Sequence, residues 1–209
     1  MNEARLLVSV IVPVLDEATE LPRVLDHVGS LPGRWEVLVA EGPGRAARLN
    51  EAARGASGEL LLFLHADSRL PAGAYVSLVS AAAEPGVVGG NFALRFAGDD
   101  RFSQVLTAVY ALQRRLGFYY GDSSVWVRRS VFEILGGYRE LAIMDDYDFV
   151  RRLEAAGRTV CLPGPARTSD RRWRAMGVPR TLLAWWAIRW LFLAGVPPER
   201  LARLYRRIR

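Results

Sequence analysis

The sequence predicts an α/β domain built on a mainly parallel central sheet with helices on both faces, followed by a C-terminal helical tail. Three observations carry this. Short, near-continuous apolar runs alternate with helix-period segments through the first half of the chain, the pattern of strands buried on both faces and joined by crossover helices. Acidic residues stand at or just past the ends of three such runs, at Asp16, Glu41 and Asp67, where open α/β sheets bind ligands. A long apolar segment, broken by Pro197-Pro198 and followed by a basic stretch, closes the chain.

Taken in order, Leu6–Leu15 reads as the first strand. Leu21, Val24, Leu25 and Val28 recur at helical spacing and predict a helix with one buried face. Trp35–Ala40 (WEVLVA) is the second strand, and Arg45–Arg54, rich in Ala and Arg, the next helix. Leu60–Leu64 is the third strand and Ala72–Ala83 its following helix. The second half is less regular. Gly90–Phe96 alternates as a strand does. Asp100–Leu116 reads as a helix with Val105, Val109 and Leu112 inward. Ser124–Val127 is a short strand, with a short helix after it that ends at Gly136-Gly137. Asp145–Ala156 is a helix that Asp145 or Asp146 would cap. Thr159–Leu162 is a further strand. Thr181–Val196 is an apolar helix interrupted by Arg189, and Glu199–Arg207 a final basic one. The expected division is residues 1–175 as a ligand-binding domain and 176–209 as two packed helices.

Composition narrows the class. Of the 209 residues, 51% are apolar and 24% charged, ordinary values for a globular protein. Cys161 is the single cysteine, so no intrachain disulfide can form. The N-terminus lacks the pattern of a secretory signal, because Pro13 interrupts its apolar run and no small-residue cleavage site follows; a cytoplasmic protein is expected. All 28 basic residues are Arg. Eleven lie in residues 167–209 against two acids, a tail of +9 on a body of −3. Nucleic acid is the weakest partner for that tail, since no reader module accompanies it. The Leu182–Leu193 segment, with Trp185, Trp186 and Trp190, is too short to span a bilayer. It reads first as a core-covering helix or homodimer face; the alternative is peripheral binding to the inner membrane face, with Arg meeting anionic lipid.

Five groups can carry chemistry, and each has a structural alternative. Asp67, at the tip of an apolar strand, can hold a divalent cation through its carboxylate; it can equally cap the helix after Pro71 or pair with Arg69. Asp16-Glu17 can meet ribose or base, or simply begin a helix. Gly42-Pro43-Gly44-Arg45, with Arg48 and Asn50, makes a turn into a helix suited to an anion, or an ordinary turn. Asp145-Asp146 are adjacent acids whose repulsion can raise one pKa and make a base, or an acid-rich helix start. Arg171-Arg172-Trp173-Arg174 suits a diphosphate or a stacked ring, or a surface loop.

The order of these groups is more specific than any one of them. SVIVPVLDE, then GRAARLNEAARGASGELLLFLHADSRLP, then Gly-Gly-Tyr, MDDYDFVRRLEAAGR, RRW and the tail GVPPERLARLYR resemble glycosyltransferase family 2, of the Rossmann-like GT-A fold. The sequence looks most like small bacterial glycosyltransferases found beside radical-SAM and selenium- or arsenic-associated genes and linked to arsenosugar biosynthesis. The resemblance implies a metal-dependent, inverting transfer from a nucleoside diphosphate sugar, a UDP-sugar first, to an unidentified acceptor, with Mg²⁺ or Mn²⁺. It implies that Pro13, Leu15 and Glu17 line the nucleotide pocket with Arg45, Asn50 and Asp67. Asp67 would bind the metal, with His65 where a first acid usually stands. Asp146 would be the general base, beside Asp145 in the place of Glu. Gly121-Asp122 would lie near the acceptor, and Arg172-Trp173 would match a diphosphate motif. The family's Asp-Gly-x-Ser unit, with its helix and strand, is missing after the second strand, and Glu41 stands in for the base-recognising Asp. A catalytically impaired nucleotide-sugar binder or membrane-surface protein of the same fold, and a nucleotidyltransferase, are the other readings.

Overall fold

The computed structural model describes residues 6–14, 20–170 and 177–208. Six strands form one sheet: β1 (Val8–Pro13), β2 (Trp35–Ala40), β3 (Leu60–Phe63), β4 (Val87–Phe96), β5 (Trp126–Arg128) and β6 (Arg158–Thr168), in the order β2-β1-β3-β5-β4-β6. β1 pairs parallel with β2 and β3, and β4 with β6, while β5 runs antiparallel to both β3 and β4. Five strands therefore share one direction, so their C-terminal ends open on one edge, as the sequence predicts. β2 is an edge strand, followed in the chain by α2 (Arg45–Gly55).

Alternation along the strands divides the core. Leu60 and Leu62 of β3 join Val8, Val10 and Val12 of β1 beneath α1 (Glu20–Ser30) and α3 (Ala74–Ala83). Leu61 and Phe63 turn the other way, with Ile11, to meet α2 (Arg45–Gly55), α5 (Arg129–Ile134) and α6 (Asp145–Ala156) through Leu49, Phe132 and Phe149. Period-two side chains on strands buried from both sides give this result. Each fully buried Leu here contributes about 1.5–3 kcal/mol of transfer free energy. In α1, Val24 and Val28 are buried and Leu21 is partly so, on the face the spacing predicts.

Two expectations need correction. α4 (Arg101–Arg115) does not bury Val105, Val109 and Leu112; Val105 and Leu112 are exposed, and Ser103 and Leu106 face inward beside Phe102 and Tyr110. Polar anchoring sets this rotation. Asp100 caps the helix by accepting from Ser103 N–H at 3.1 Å, and the buried Ser103 hydroxyl donates to Asp170 at 2.8 Å. Nor do Asp145 and Asp146 cap α6: Met144 precedes it in the left-handed region (φ 69°), and both acids lie within its first turn. That backbone state costs a non-glycine residue about 1–2 kcal/mol. Met144 is held there by burial against Tyr147, Ile188 and Leu201.

The last two helices, α7 (Val178–Leu193) and α8 (Pro198–Ile208), cover the open edge of the domain. Ile188 of α7 and Leu201 of α8 are buried with Met144 and Tyr147, joined by Trp185, Phe192 and Tyr205. No helix among the described residues is long and apolar enough to cross a membrane.

β4 and β6 approach so closely at Gly90, opposite Val160, that a Cβ there would run into the Val160 carbonyl oxygen. Gly90→Ala is expected to lower unfolding free energy by about 3 kcal/mol. A urea titration measures this as a lower midpoint with unchanged slope.

Candidate active site

The C-terminal strand ends hold the polar residues together. Arg48, on α2, is 4% exposed, and its guanidinium donates to the carbonyls of Val14 at 2.9 Å and Gly42 at 3.4 Å. It ties the ends of β1 and β2. Asn50 is likewise committed: its amide donates to Tyr138 O and accepts from Tyr138 N–H, each at 2.8 Å. This two-point clamp fixes the turn after α5 and lies away from the cavity described next.

Arg45, in the first turn of α2, reaches Asp145 at the start of α6, with Nη1 2.5 Å from Oδ2. Burial works against the Arg45 charge, but Asp145 and Asp146 outweigh it and hold the guanidinium more firmly protonated than usual. Burial is also the largest influence on Asp145 and raises its pKa, with Arg45 opposing and Asp146 adding to the rise. Asp146, the next residue, faces elsewhere. Its Oδ2 accepts from Gly121 N–H at 2.9 Å and its Oδ1 from Tyr147 N–H at 2.8 Å. The site is crowded at 121, where a Cβ would stand 2.8 Å from Arg45 Nη2 and 3.1 Å from Asp146 Oδ2, so a larger residue would displace one or both side chains.

Asp146 opens on a cavity of about 150 Å³. Its floor is the strand ends: His65 and Asp67 after β3, Phe96 of β4, and Thr168 with Ser169 after β6. Tyr110 and Gln113 of α4 form one wall, and Tyr120 and Asp122, around the 3-10 turn Gly121–Ser123, another. α7 closes the site with Leu182, Trp185, Trp186 and Arg189, and α8 adds Tyr205. Of the residues singled out from sequence, Asp67, Asp122 and Asp146 line one cavity. Gly121 and Asp145 support it, with Arg45, whose Nη2 stands 3.5 Å from His65 Nε2. Pro13 ends β1 beside Ala40, and Glu41 is exposed in the loop after β2. Leu15, Asp16, Glu17 and residues Arg171, Arg172, Trp173 and Arg174 lie outside the described residues.

Asp67 neither caps the helix after Pro71 nor pairs with Arg69. The helix after Pro71 has Gly73 at its N-cap and no side-chain cap. The Arg69 guanidinium donates to the carbonyls of Ala66 (3.0 Å) and Ser68 (2.9 Å) and meets Glu20 at 3.5 Å. The turn carrying Asp67 is fixed from behind: Ser68 Oγ donates to Thr168 Oγ1 at 3.1 Å, and the Arg69 backbone bridges Arg167.

Sequence reasoning missed three wall residues. Arg189 is 4% exposed, donates to the Tyr120 hydroxyl at 3.3 Å and stacks 4.3 Å from the Phe118 ring centre. Its buried Nε has no hydrogen-bond partner, and no carboxylate lies within ion-pair distance of it among the described residues. A buried cation without an anion is costly. The signal was the one charge that interrupts the apolar run Thr181–Val196. Tyr120 and Tyr110 had no comparable signal. Burial pushes the Tyr120 pKa up to about 12 against the opposing pull of Arg189. Tyr110 is pushed well above its ordinary value by burial and by its hydrogen bond to Asp122. Both phenols remain protonated donors at neutral pH.

Among the described residues no group of three or more His, Cys, Asp or Glu side chains is placed to hold a metal ion. Asp67 and His65 alone are too sparse a set for a resident divalent cation. They fit one whose remaining positions are filled by ligand oxygens and water, as hard divalent cations accept.

No protein-family model matches the chain, and no curated protein sequence matches it. Solved structures do match in shape. The mannosyltransferase PcManGT from Pyrobaculum calidifontis, in complex with GDP-Man and Mn²⁺, has a TM-score of 0.62 at 18% identity, over 96% of this chain and 69% of that one. S. aureus TarS scores 0.57 at 13% identity, over 78% of this chain and 36% of that one. Its 1–349 form in complex with UDP-GlcNAc scores 0.55 at 14% identity, over 78% and 58%. At such identities the likeness defines the fold: a Rossmann-like α/β domain of GT-A type, with C-terminal helices added.

Asn50→Ala would leave a buried N–H and C=O of Tyr138 without partners. A loss of about 2–3 kcal/mol in unfolding free energy is expected, read by denaturant titration.

Proposed function

We propose that this protein is an inverting glycosyltransferase that moves a sugar from a nucleoside diphosphate to an acceptor hydroxyl or similar nucleophile, of the small family-2-like kind its sequence resembles. One observation carries the reading. A strand-end carboxylate (Asp67), a second carboxylate held by a backbone N–H (Asp146) and a buried cation with no carboxylate partner among the described residues (Arg189) face one cavity on a GT-A fold. The similar structures that contain nucleotide sugars support the donor class.

In this mechanism Asp146 takes the proton from the acceptor nucleophile. The freed electron pair attacks the anomeric carbon, and the carbon–oxygen bond to the diphosphate breaks on the opposite face, with its electrons leaving on the phosphate oxygen. Direct displacement of this kind inverts the anomeric configuration. The Gly121 N–H fixes Asp146 for its task, and Asp145 acts at one remove by holding Arg45. Arg189 and the protonated Tyr120 offer donors to charge that grows on the leaving group, which is where preorganised dipoles contribute most. Asp67, with His65 beside it, would hold Mn²⁺ or Mg²⁺ together with the diphosphate, and that ion would supply charge neutralisation there.

Calorimetry with a panel of nucleoside diphosphates, with and without Mn²⁺, tests the binding half. Wild type is expected to bind at least one, more tightly with Mn²⁺, and Asp67→Ala to lose the Mn²⁺-dependent gain. Asp146→Asn is expected to bind donor normally and transfer about 10²–10⁴-fold more slowly. Donor binding without turnover by wild type, across broad acceptor screens, would instead identify an impaired nucleotide-sugar binder. Arg189→Met is expected to weaken nucleoside diphosphate binding about tenfold without lowering the melting temperature, because it removes a buried charge that lacks an acidic partner.

A further inference from the structure

From Leu183 to Leu193 the exposed face of α7 is apolar. Leu183 (68% exposed), Trp186 (56%) and Trp190 (48%) stand on it at helical spacing, with Leu191 and Leu193 also exposed near its end. The one charge within this stretch, Arg189, is turned inward to Tyr120 and Phe118 and leaves the face uncharged. The residue that interrupts the apolar run in sequence does not interrupt it in space.

Basic residues accompany this face on the same pair of helices. Arg180 is exposed in the first turn of α7, and Arg200, Arg203 and Arg206 are exposed on α8, where Glu199 is the only acid. α8 packs on α7 through Leu201 and Tyr205. The exposed Arg residues of α8 are therefore carried on the helix packed directly beside α7. A twofold dimer through the face would bring two such basic sets together at like charge. An anionic lipid surface would neutralise them while taking up Trp and Leu at its boundary. α7 is 16 residues long and cannot span a bilayer.

We infer that α7 and α8 dock the protein on an anionic membrane surface. The docking face is continuous with the site: Trp186 is both exposed on it and part of the cavity wall, beside Leu182 and Trp185. The cavity mouth thus lies at the lipid boundary. Resting on the transferase reading above, the acceptor is an amphiphile presented from that surface.

Co-sedimentation with phosphatidylglycerol–phosphatidylcholine vesicles, against phosphatidylcholine alone, tests the docking with the full chain and no nucleotide. Wild type is expected to pellet with the anionic vesicles and to be released by high salt. Leu183→Glu/Trp190→Glu and, separately, Arg200→Glu/Arg203→Glu are expected to lower the bound fraction about tenfold. Circular dichroism melting checks that each variant is folded. Wild type left in the supernatant with anionic vesicles overturns the inference. So does binding that the folded variants retain, or a dimer in light scattering that Trp190→Glu dissolves without any vesicle binding. Vesicle binding does not depend on donor binding, so failure here is distinguishable from failure of the calorimetry above. A folded protein that pellets but transfers only to water-soluble acceptors refutes the amphiphile step alone.

Discussion

The Arg45–Asp145 ion pair is the constraint on which the site depends. It joins the first turns of α2 and α6 across the open edge of the sheet, in a partly buried setting. Successive residues on an α-helix point about 100° apart. Fixing Asp145 on Arg45 therefore decides where Asp146 points, and it points at Gly121 and the cavity. Two adjacent acids at a helix start would otherwise compete for one environment. The pair separates them: one carboxylate is consumed by an internal cation, the other is left to the cavity. Gly121 sits in the same crowding, because a side chain there would meet both Arg45 and Asp146.

The sheet supplies the second half of the arrangement. Five strands aligned in one direction bring His65, Asp67, Thr168 and Ser169 to one edge although they are far apart in the chain. The turn carrying Asp67 is anchored to β6 through Ser68 and Arg69, so that its side chain is presented from a fixed base. α7 then closes the cavity with aromatic rings and one inward guanidinium. The result is a small chamber with carboxylates on its floor and one wall and a cation on the opposing helix. A negatively charged ligand carrying or attracting a divalent ion would meet complementary groups on each side.

Much of this was legible in the sequence. Buried strands announce themselves as apolar runs with turn residues at their ends, and LLLFLHADSRLP was such a run; α6 begins and ends where its pattern predicts. The rotation of α4 was not legible, because apolar residues occur around much of that helix and a buried Ser103–Asp170 hydrogen bond decides which side turns in. Asn50 and Arg48 looked like ligand-facing residues near a glycine-rich turn. Their partners are backbone carbonyls and amides as far as Tyr138, contacts that no local pattern encodes. Arg189 was visible only as an interruption. Its role depends on the direction in which a helix near the C-terminus faces, and that is set by tertiary packing with Met144, Tyr147 and Leu201.

The place of β5 in the sheet has a consequence for how the chain reaches its native state. β1, β2 and β3 can pair as soon as Phe63 has been made, but β3 is then an edge strand of four apolar residues. Its other neighbour, Trp126–Arg128, lies more than sixty positions further along, and β4, which precedes β5 in the chain, has no direct contact with the β3 ladder. Zipping the sheet must wait for this late central strand, which closes long loops before any reward in pairing. Until it arrives, LLLF presents an unpaired apolar edge of the kind that recruits other chains. The fold that gathers the cavity carboxylates so compactly therefore carries a slow, exposed step in its own assembly.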